Sequence, residues 1–299
     1  MIADGAASAD GPVHSGVAGS TMMATCRNFM IERESWRNAT TRALFDDYAE
    51  HRAQQMALVA GWRGERLAIL GAGNCNDLDL ATLAGSFREL HLFDIDAHAL
   101  TSAYARQSKR VRRACTLHEH DLTGVASLIE RWRQQEPDPR EAVTAAWAEL
   151  AGLVSQAGEF DAVLSTCLLS QVAINLRDFF GIVPALNTAL MAAITGHIVL
   201  AKALTKPGGT LLVTSDCITN RFQIHQEAAA RGPMGAIFHL SQEGAAFPGT
   251  DPRLVVDLLR EARFSPPELQ RAWIWDLSEQ SYLVYGVATK HLPSGGDQK

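Results

Sequence analysis

Paired cysteines and a surplus of basic residues are both missing from this chain of 299 residues. Its five cysteines (Cys26, Cys75, Cys115, Cys167, Cys217) are odd in number and scattered, and no C-x-x-C pair occurs. Neither a zinc knuckle nor a disulfide framework is therefore expected. No metal is expected either, and a reducing, cytoplasmic compartment fits this usage best. Lys and Arg total 27 against 33 Asp and Glu, a net charge of −6. Binders of duplex or bulk RNA carry the opposite balance, so nucleic acid is not expected as a partner. Residues 1–24 are rich in Gly, Ala and Ser and lack a basic segment followed by an apolar one. They read as a flexible tail and not as a signal peptide; residues 292–299 read as a second tail. Charge is absent from Phe179 to Ala201, a run of 23 residues. That is long enough to cross a bilayer. Gly181, Pro184, Asn187, Thr188, Thr195, Gly196 and His197 interrupt it, so a helix buried inside a domain is expected and a membrane is not.

What is present is ordinary globular material. Apolar residues make up 47% and charged residues 20%, which excludes general disorder, collagen and coiled coil. Short apolar runs alternate with helical stretches. The strands expected are 67–70, 90–94, 115–120, 160–165 and 210–214, with a closing pair at 272–276 and 282–288. Helices are expected within 27–60, over 77–84, 97–107, 124–136 and 140–156, from 166 to 204 with a break near Gly181–Pro184, and over 252–263. This alternation implies βαβ units and a mostly parallel sheet covered on both faces. In such sheets ligands bind beyond the carboxyl ends of the strands.

Those ends carry chemistry. The first strand runs into Gly71-Ala72-Gly73-Asn74-Cys75-Asn76-Asp77, where glycines let a ligand approach the backbone and the next helix offers free N–H groups. The second ends at Asp94, an acid placed to accept hydrogen bonds from vicinal ribose hydroxyls; alternatively it caps the next helix, a task Asp96 could take instead. The third ends at Asp121, able to take an adenine amine or to act as a cap. Together they point to a nucleoside-bearing ligand. A dinucleotide fits poorly, because Asn76 stands where G-x-G-x-x-G has its last glycine and its carboxamide would crowd a pyrophosphate.

Leu70-Gly-Ala-Gly-Asn, Phe93-Asp-Ile-Asp-Ala-His-Ala-Leu100, Asp121, Phe160-Asp-Ala-Val-Leu-Ser-Thr-Cys-Leu-Leu169 and Leu204-Thr-Lys-Pro-Gly-Gly-Thr-Leu-Leu-Val213 resemble, in order, the motifs of class I S-adenosylmethionine-dependent methyltransferases. The resemblance covers about residues 65–290. It implies a Rossmann-like, seven-stranded α/β sheet in the order 3-2-1-4-5-7-6, its last strand antiparallel, with helices on both faces. It implies S-adenosylmethionine as cofactor. Gly71, Ala72, Gly73 and Asn74 would lie at the methionine portion, Asp94 on the ribose and Ile95 against the adenine. Asp121 would meet the adenine amine with Leu122 beside it, and Ser165 and Thr166 would face the methionine amine or the acceptor. Two departures stand out. Cys75 occupies a position where the family often has a third glycine. No N/D-P-P-Y follows strand four, which argues against the amide- and nucleobase-amine-methylating branches.

The domain division expected is a helical cap over 25–64 and a cofactor-binding domain over 65–291 with a lid at 216–251. Long connections of that kind serve as lids or are disordered. His225, in the lid, is the candidate general base, and Tyr48 and Arg52 are candidates for the cofactor carboxylate. His118-Glu119-His120-Asp121 cannot converge on one ion, because alternate strand residues face opposite sides. Trp273 and Trp275 read as core or edge packing. The activity expected is methyl transfer to a small, partly apolar acceptor. The alternatives are aminocarboxypropyl transfer or cyclisation of the same cofactor, or a non-catalytic binding protein. A homodimer is compatible with the sequence but not required by it.

Overall fold

The computed structural model describes residues 26–260 and 264–292. The expected tails lie outside the described residues, except for Leu292, and so do residues 261–263. Seven strands form one sheet: β1 (Gly64–Leu70), β2 (Phe87–Asp94), β3 (Cys115–Glu119), β4 (Phe160–Thr166), β5 (Thr205–Thr219), β6 (Glu268–Leu277) and β7 (Gln280–Lys290). Their order is β3-β2-β1-β4-β5-β7-β6. β1 to β5 pair in parallel, and β7 runs antiparallel to both β5 and β6. This is the order the resemblance implies.

Strands with both faces covered read as continuous apolar runs, and β1 is typical. Leu67 and Ile69 join one core with α2 (Ala49–Leu58), α3 (Leu80–Ser86), α4 (Ala97–Ala105) and α5 (Lys109–Ala114). Ala68 and Leu70 point the other way, into a core shared with α7 (Pro139–Ala157), α8 (Leu168–Phe180) and α9 (Pro184–Leu204). The short α6 (Ile129–Gln134) buries Trp132 there. α9 is long and apolar enough to span a bilayer, yet 67% of its apolar window is buried inside the protein. It is the central helix of this core.

Several boundaries differ from the sequence reading for local reasons. α3 begins at Leu80, not at Asp77, because the Asp79 side chain accepts the N–H groups of Ala81 and Thr82 and so starts the helix there. The basic run before β3 is itself the short helix α5, capped by Ser108. β5 extends to Thr219 because β7 pairs with it beyond the end of β4. The segment 216–251 has regular structure: it completes β5 and then forms α10 (Ile224–Gln242), kinked where Gly232 takes φ 72° before Pro233. α11 (Pro252–Leu259) follows. The N-terminal segment forms α1 (Cys26–Thr41) and α2.

Candidate active site

The turn after β1 is built to be approached closely. Gly71 has φ +77°, and a Cβ there would lie 3.1 Å from Leu168 Cβ. Gly73 has φ +45°, and a Cβ would meet Asn38 Oδ1 at 3.0 Å. Cys75 also adopts a left-handed φ, 50°, which accounts for a glycine preference at that position. The turn is anchored from outside. Arg52 donates to Asn76 O at 2.6 Å and to Phe45 O at 2.8 Å, with its guanidinium 3.7 Å from the Phe45 ring centre. Arg106 donates to Asn74 O and to Asn76 Oδ1. Asn74 and Asn76 in turn donate to Asn38 O (2.6 Å) and Thr41 O (2.7 Å). They satisfy carbonyls that the C-terminus of α1 leaves open. The amide of Asn76 thus holds the cap helix against the turn. Arg52, engaged in this anchor, does not line the cleft.

Asp94 and Asp96 divide their roles. Asp96 caps α4, accepting from His98 and Ala99 N–H. Asp94 is buried; its Oδ2 accepts from Gly73 N at 2.8 Å and its Oδ1 from Asp96 N at 2.9 Å. Each carboxylate oxygen can accept a further hydrogen bond. Burial raises the Asp94 carboxyl to about 7, the neighbouring Glu34 adding to the effect while the two N–H donors oppose it. Asp121 acts as a turn cap: Oδ1 accepts from Thr123 N and Oγ1, and Oδ2 from Ala126 N at 2.9 Å. One acceptor position remains to it by the same count.

Beside Asp94 a narrow apolar slot lies among Met30, Ile95, Leu122, Leu168 and Val172, with Glu34, Asp121 and Asn175 as polar members. Asn175 gives its amide N–H to Glu34, and its Oδ1 is buried without a partner. The free volume is about 20 Å³, room for little more than a water molecule. The slot adjoins a cleft of about 1160 Å³ that runs past Gly71–Asp77, Thr166, Cys167, Asp216, Tyr48, Trp275 and Tyr282. Two acids there are shifted upward by burial, Asp77 and Asp216, each to about 6.

Most of the site residues expected from sequence border this space: Gly71, Ala72, Gly73, Asn74 and Thr166 on the cleft, Asp94, Ile95, Asp121 and Leu122 on the slot. Two do not. Ser165 is fully buried, and its Oγ sits 2.8 Å from His197 Nε2. His197 Nδ1 lies 3.1 Å from Leu122 O, so Nδ1 carries the proton and Ser165 donates to Nε2. Burial holds His197 down near 4. Ser165 therefore faces the helical layer, one residue out of phase with Thr166 on the strand. His225 does not line the cleft either: it is exposed and pairs at 3.2 Å with Asp276 Oδ1. Trp275, taken for packing, lines the cleft. Residues that sequence reasoning missed include Glu34, Arg37 and Asn38, spaced with Met30 and Thr41 along one face of α1. The signal was there, because a helix stripe at spacing 3–4 should be apolar where it meets a core, and here it is polar.

No protein-family profile matches the chain, and no curated protein matches it. In structure it is similar to an S-adenosylmethionine-dependent methyltransferase from Anabaena variabilis (12% identity, 89% of this chain and 94% of that one, TM-score 0.47). It is also similar to one from Methanosarcina mazei (14%, 79% and 98%, TM-score 0.42) and to a geranyl diphosphate C-methyltransferase from Streptomyces coelicolor (9%, 82% and 79%, TM-score 0.43). The strand order and the antiparallel seventh strand are those of the class I methyltransferase fold.

Proposed function

We propose that the chain binds S-adenosylmethionine and transfers its methyl group to a small-molecule acceptor. The observation that carries this reading is the convergence of strand ends: the Gly71–Gly73 turn, Asp94 and Asp121 border one continuous slot and cleft. The residues fit the cofactor. Asp94 keeps acceptor capacity for the ribose hydroxyls. The slot has apolar walls for a purine, and the buried Asn175 Oδ1 and Asp121 can accept from its amine. Arg37 has a buried Nη2 without a partner, suited to a carboxylate. Asp77 stands ready for an ammonium group. When bound, the cofactor supplies an electrophilic methyl on a sulfonium. The protein then has to align the acceptor and exclude water. The 216–251 segment and α1 both line the cleft, so acceptor selectivity falls to them.

Calorimetry with S-adenosylhomocysteine and, separately, NADH tests the cofactor. Binding of the first and not the second is expected; the reverse would overturn the reading. Incubation with S-adenosylmethionine and candidate acceptors then separates reaction classes by product. S-adenosylhomocysteine marks methyl transfer, and methylthioadenosine marks aminocarboxypropyl transfer or cyclisation.

A further inference from the structure

One wall of the cleft is built of aromatic rings. Tyr48, Trp275 and Tyr282 stand in a row, with centroids 5.0 and 5.3 Å apart. His51 stacks on Trp275 at 4.2 Å, and its Nδ1 accepts from Trp273 Nε1 at 3.2 Å. This backing fixes the wall: α2 supplies Tyr48 and His51 at its start and first turn, and β6 supplies the two tryptophans on one strand face. The rings themselves carry no positive charge, while Arg37 and Arg221 line the same cleft and act on Tyr282. Burial pushes His51 down to about 3 and Tyr282 up to about 12, Asp216 contributing to the latter. The Trp275 indole N–H is buried and has no hydrogen-bond partner among the described residues.

Asp216 belongs to the same space. It lies where β5 changes register against β7, between Asp216 and Ile218; irregularities of this kind re-aim side chains next to sites. Asp216 is buried, and Oδ1 accepts from Ser170 Oγ at 2.6 Å. Among the described residues it forms no ion pair. Arg37, the basic side chain that acts on it electrostatically, gives its Nη1 to Glu34 at 2.7 Å. A buried carboxylate without a counter-ion is costly, and ring faces attract cations. Asp77, on the turn after β1, is a second carboxylate on the cleft, and it acts with Asp216 on Cys167 between them in the lining.

We propose that this end of the cleft is a subsite for a protonated amine borne on an apolar or aromatic body, with Tyr48, Trp275 and Tyr282 as its wall and Asp216 as its counter-ion and proton acceptor. This deepens the methyltransferase reading and rests on it. The proton moves from the ammonium nitrogen to a carboxylate oxygen of Asp216. A neutral amine with a lone pair and a neutral acid result, and no other bond changes. That amine is the form able to accept a methyl group.

The test uses the full chain saturated with S-adenosylhomocysteine and titrated with benzylamine, benzyl alcohol and benzoate, read by tryptophan fluorescence and calorimetry. Benzylamine should bind about tenfold or more tighter than benzyl alcohol, as a charge-assisted contact plus a cation–π face implies, and benzoate weakest. D216N should erase the preference for amine over alcohol while S-adenosylhomocysteine affinity stays within about twofold. Tyr282→Leu should weaken benzylamine about fivefold with the same control, and it serves if D216N does not fold. Equal binding of amine and alcohol, or a preference that survives both substitutions, overturns the proposal and leaves the cofactor reading standing. If S-adenosylhomocysteine does not bind, the cofactor reading fails, and the same three titrations on the free chain decide the amine subsite by the same criteria.

Discussion

Replacing Asp94 with Asn tests the centre of the site. Asn keeps the shape but offers one acceptor oxygen and two N–H donors. The wild-type carboxylate accepts Gly73 N–H and Asp96 N–H, one on each oxygen, so in D94N one of these backbone donors faces another donor. Leaving one buried donor unmet lowers stability by about 1–3 kcal/mol. Losing an ionised acceptor for the ribose hydroxyls removes about 1.5–3 kcal/mol of binding, or roughly 10- to 150-fold in Kd for S-adenosylhomocysteine. Alanine would leave both donors unmet and confuse the two effects, which is why Asn is the better probe. The assay is calorimetry at pH 8 with thermal unfolding as control, because the Asp94 carboxyl sits near 7. Wild-type affinity should rise from pH 6 to pH 8 as the carboxylate ionises, and D94N should lack that step. Stability follows the opposite sign. The folded-state value lies above the ordinary 3.8, so the folded chain binds the proton more tightly. Stability from this group is full below about 4 and is lost as pH rises through 7. D94N escapes that loss, so its Tm deficit should shrink between pH 5 and pH 8. An unchanged Kd at pH 8 in a folded D94N protein would move the ribose site elsewhere.

Three further outcomes are expected. His197→Ala leaves Ser165 Oγ and Leu122 O without their buried partner and should destabilise by about 2–4 kcal/mol in urea titration; a change below about 0.5 kcal/mol would mean the contact holds nothing. His225→Ala should leave turnover within about twofold and stability within about 0.5 kcal/mol, as for an exposed pair, and a loss of a hundredfold or more would restore it as a base. The slot beside Met30 has about 20 Å³ free, so a purine enters only if α1 gives way. S-adenosylhomocysteine should therefore alter trypsin cleavage at Arg33, Arg37 and Arg42, and an identical digestion pattern with and without it would remove α1 from the binding step.

Strand ends were legible because they are local. A strand that stops at a glycine, or at an acid two residues before a cap, announces itself within a few residues, and Asp94 with Asp96 shows the division: Asp96 caps α4, and Asp94 is the acid that the proposed reading gives to the ribose. Sequence groups Ser165 with Thr166, but a single step along a strand exchanges the two faces of the sheet, and of the two only Thr166 borders the cleft. His225 looked functional by type alone, and its pairing with Asp276 on β6 depends on where the start of α10 packs against the β6–β7 hairpin, which composition does not encode.

The acceptor end is illegible for a different reason, and the reason bears on how the site works. Its wall joins residues far apart in the chain, His51 to Trp273 and Tyr48 to Trp275. Its acid comes from β5, beyond the span that pairs with β4. None of these residues forms a motif, because each is placed by packing and not by local spacing. The polar stripe of α1 belongs to the same class. Glu34 makes sense as an inward residue only once Asn175 on α8 is seen to donate to it. A cofactor pocket assembled from consecutive strand ends can stay fixed while α1, α2, the 216–251 segment and the β6–β7 hairpin vary around it. On that proposed division of labour, substitutions at Tyr48, Trp275 or Tyr282 should change which acceptor is bound, and substitutions at Gly73 or Asp94 should change whether any reaction takes place.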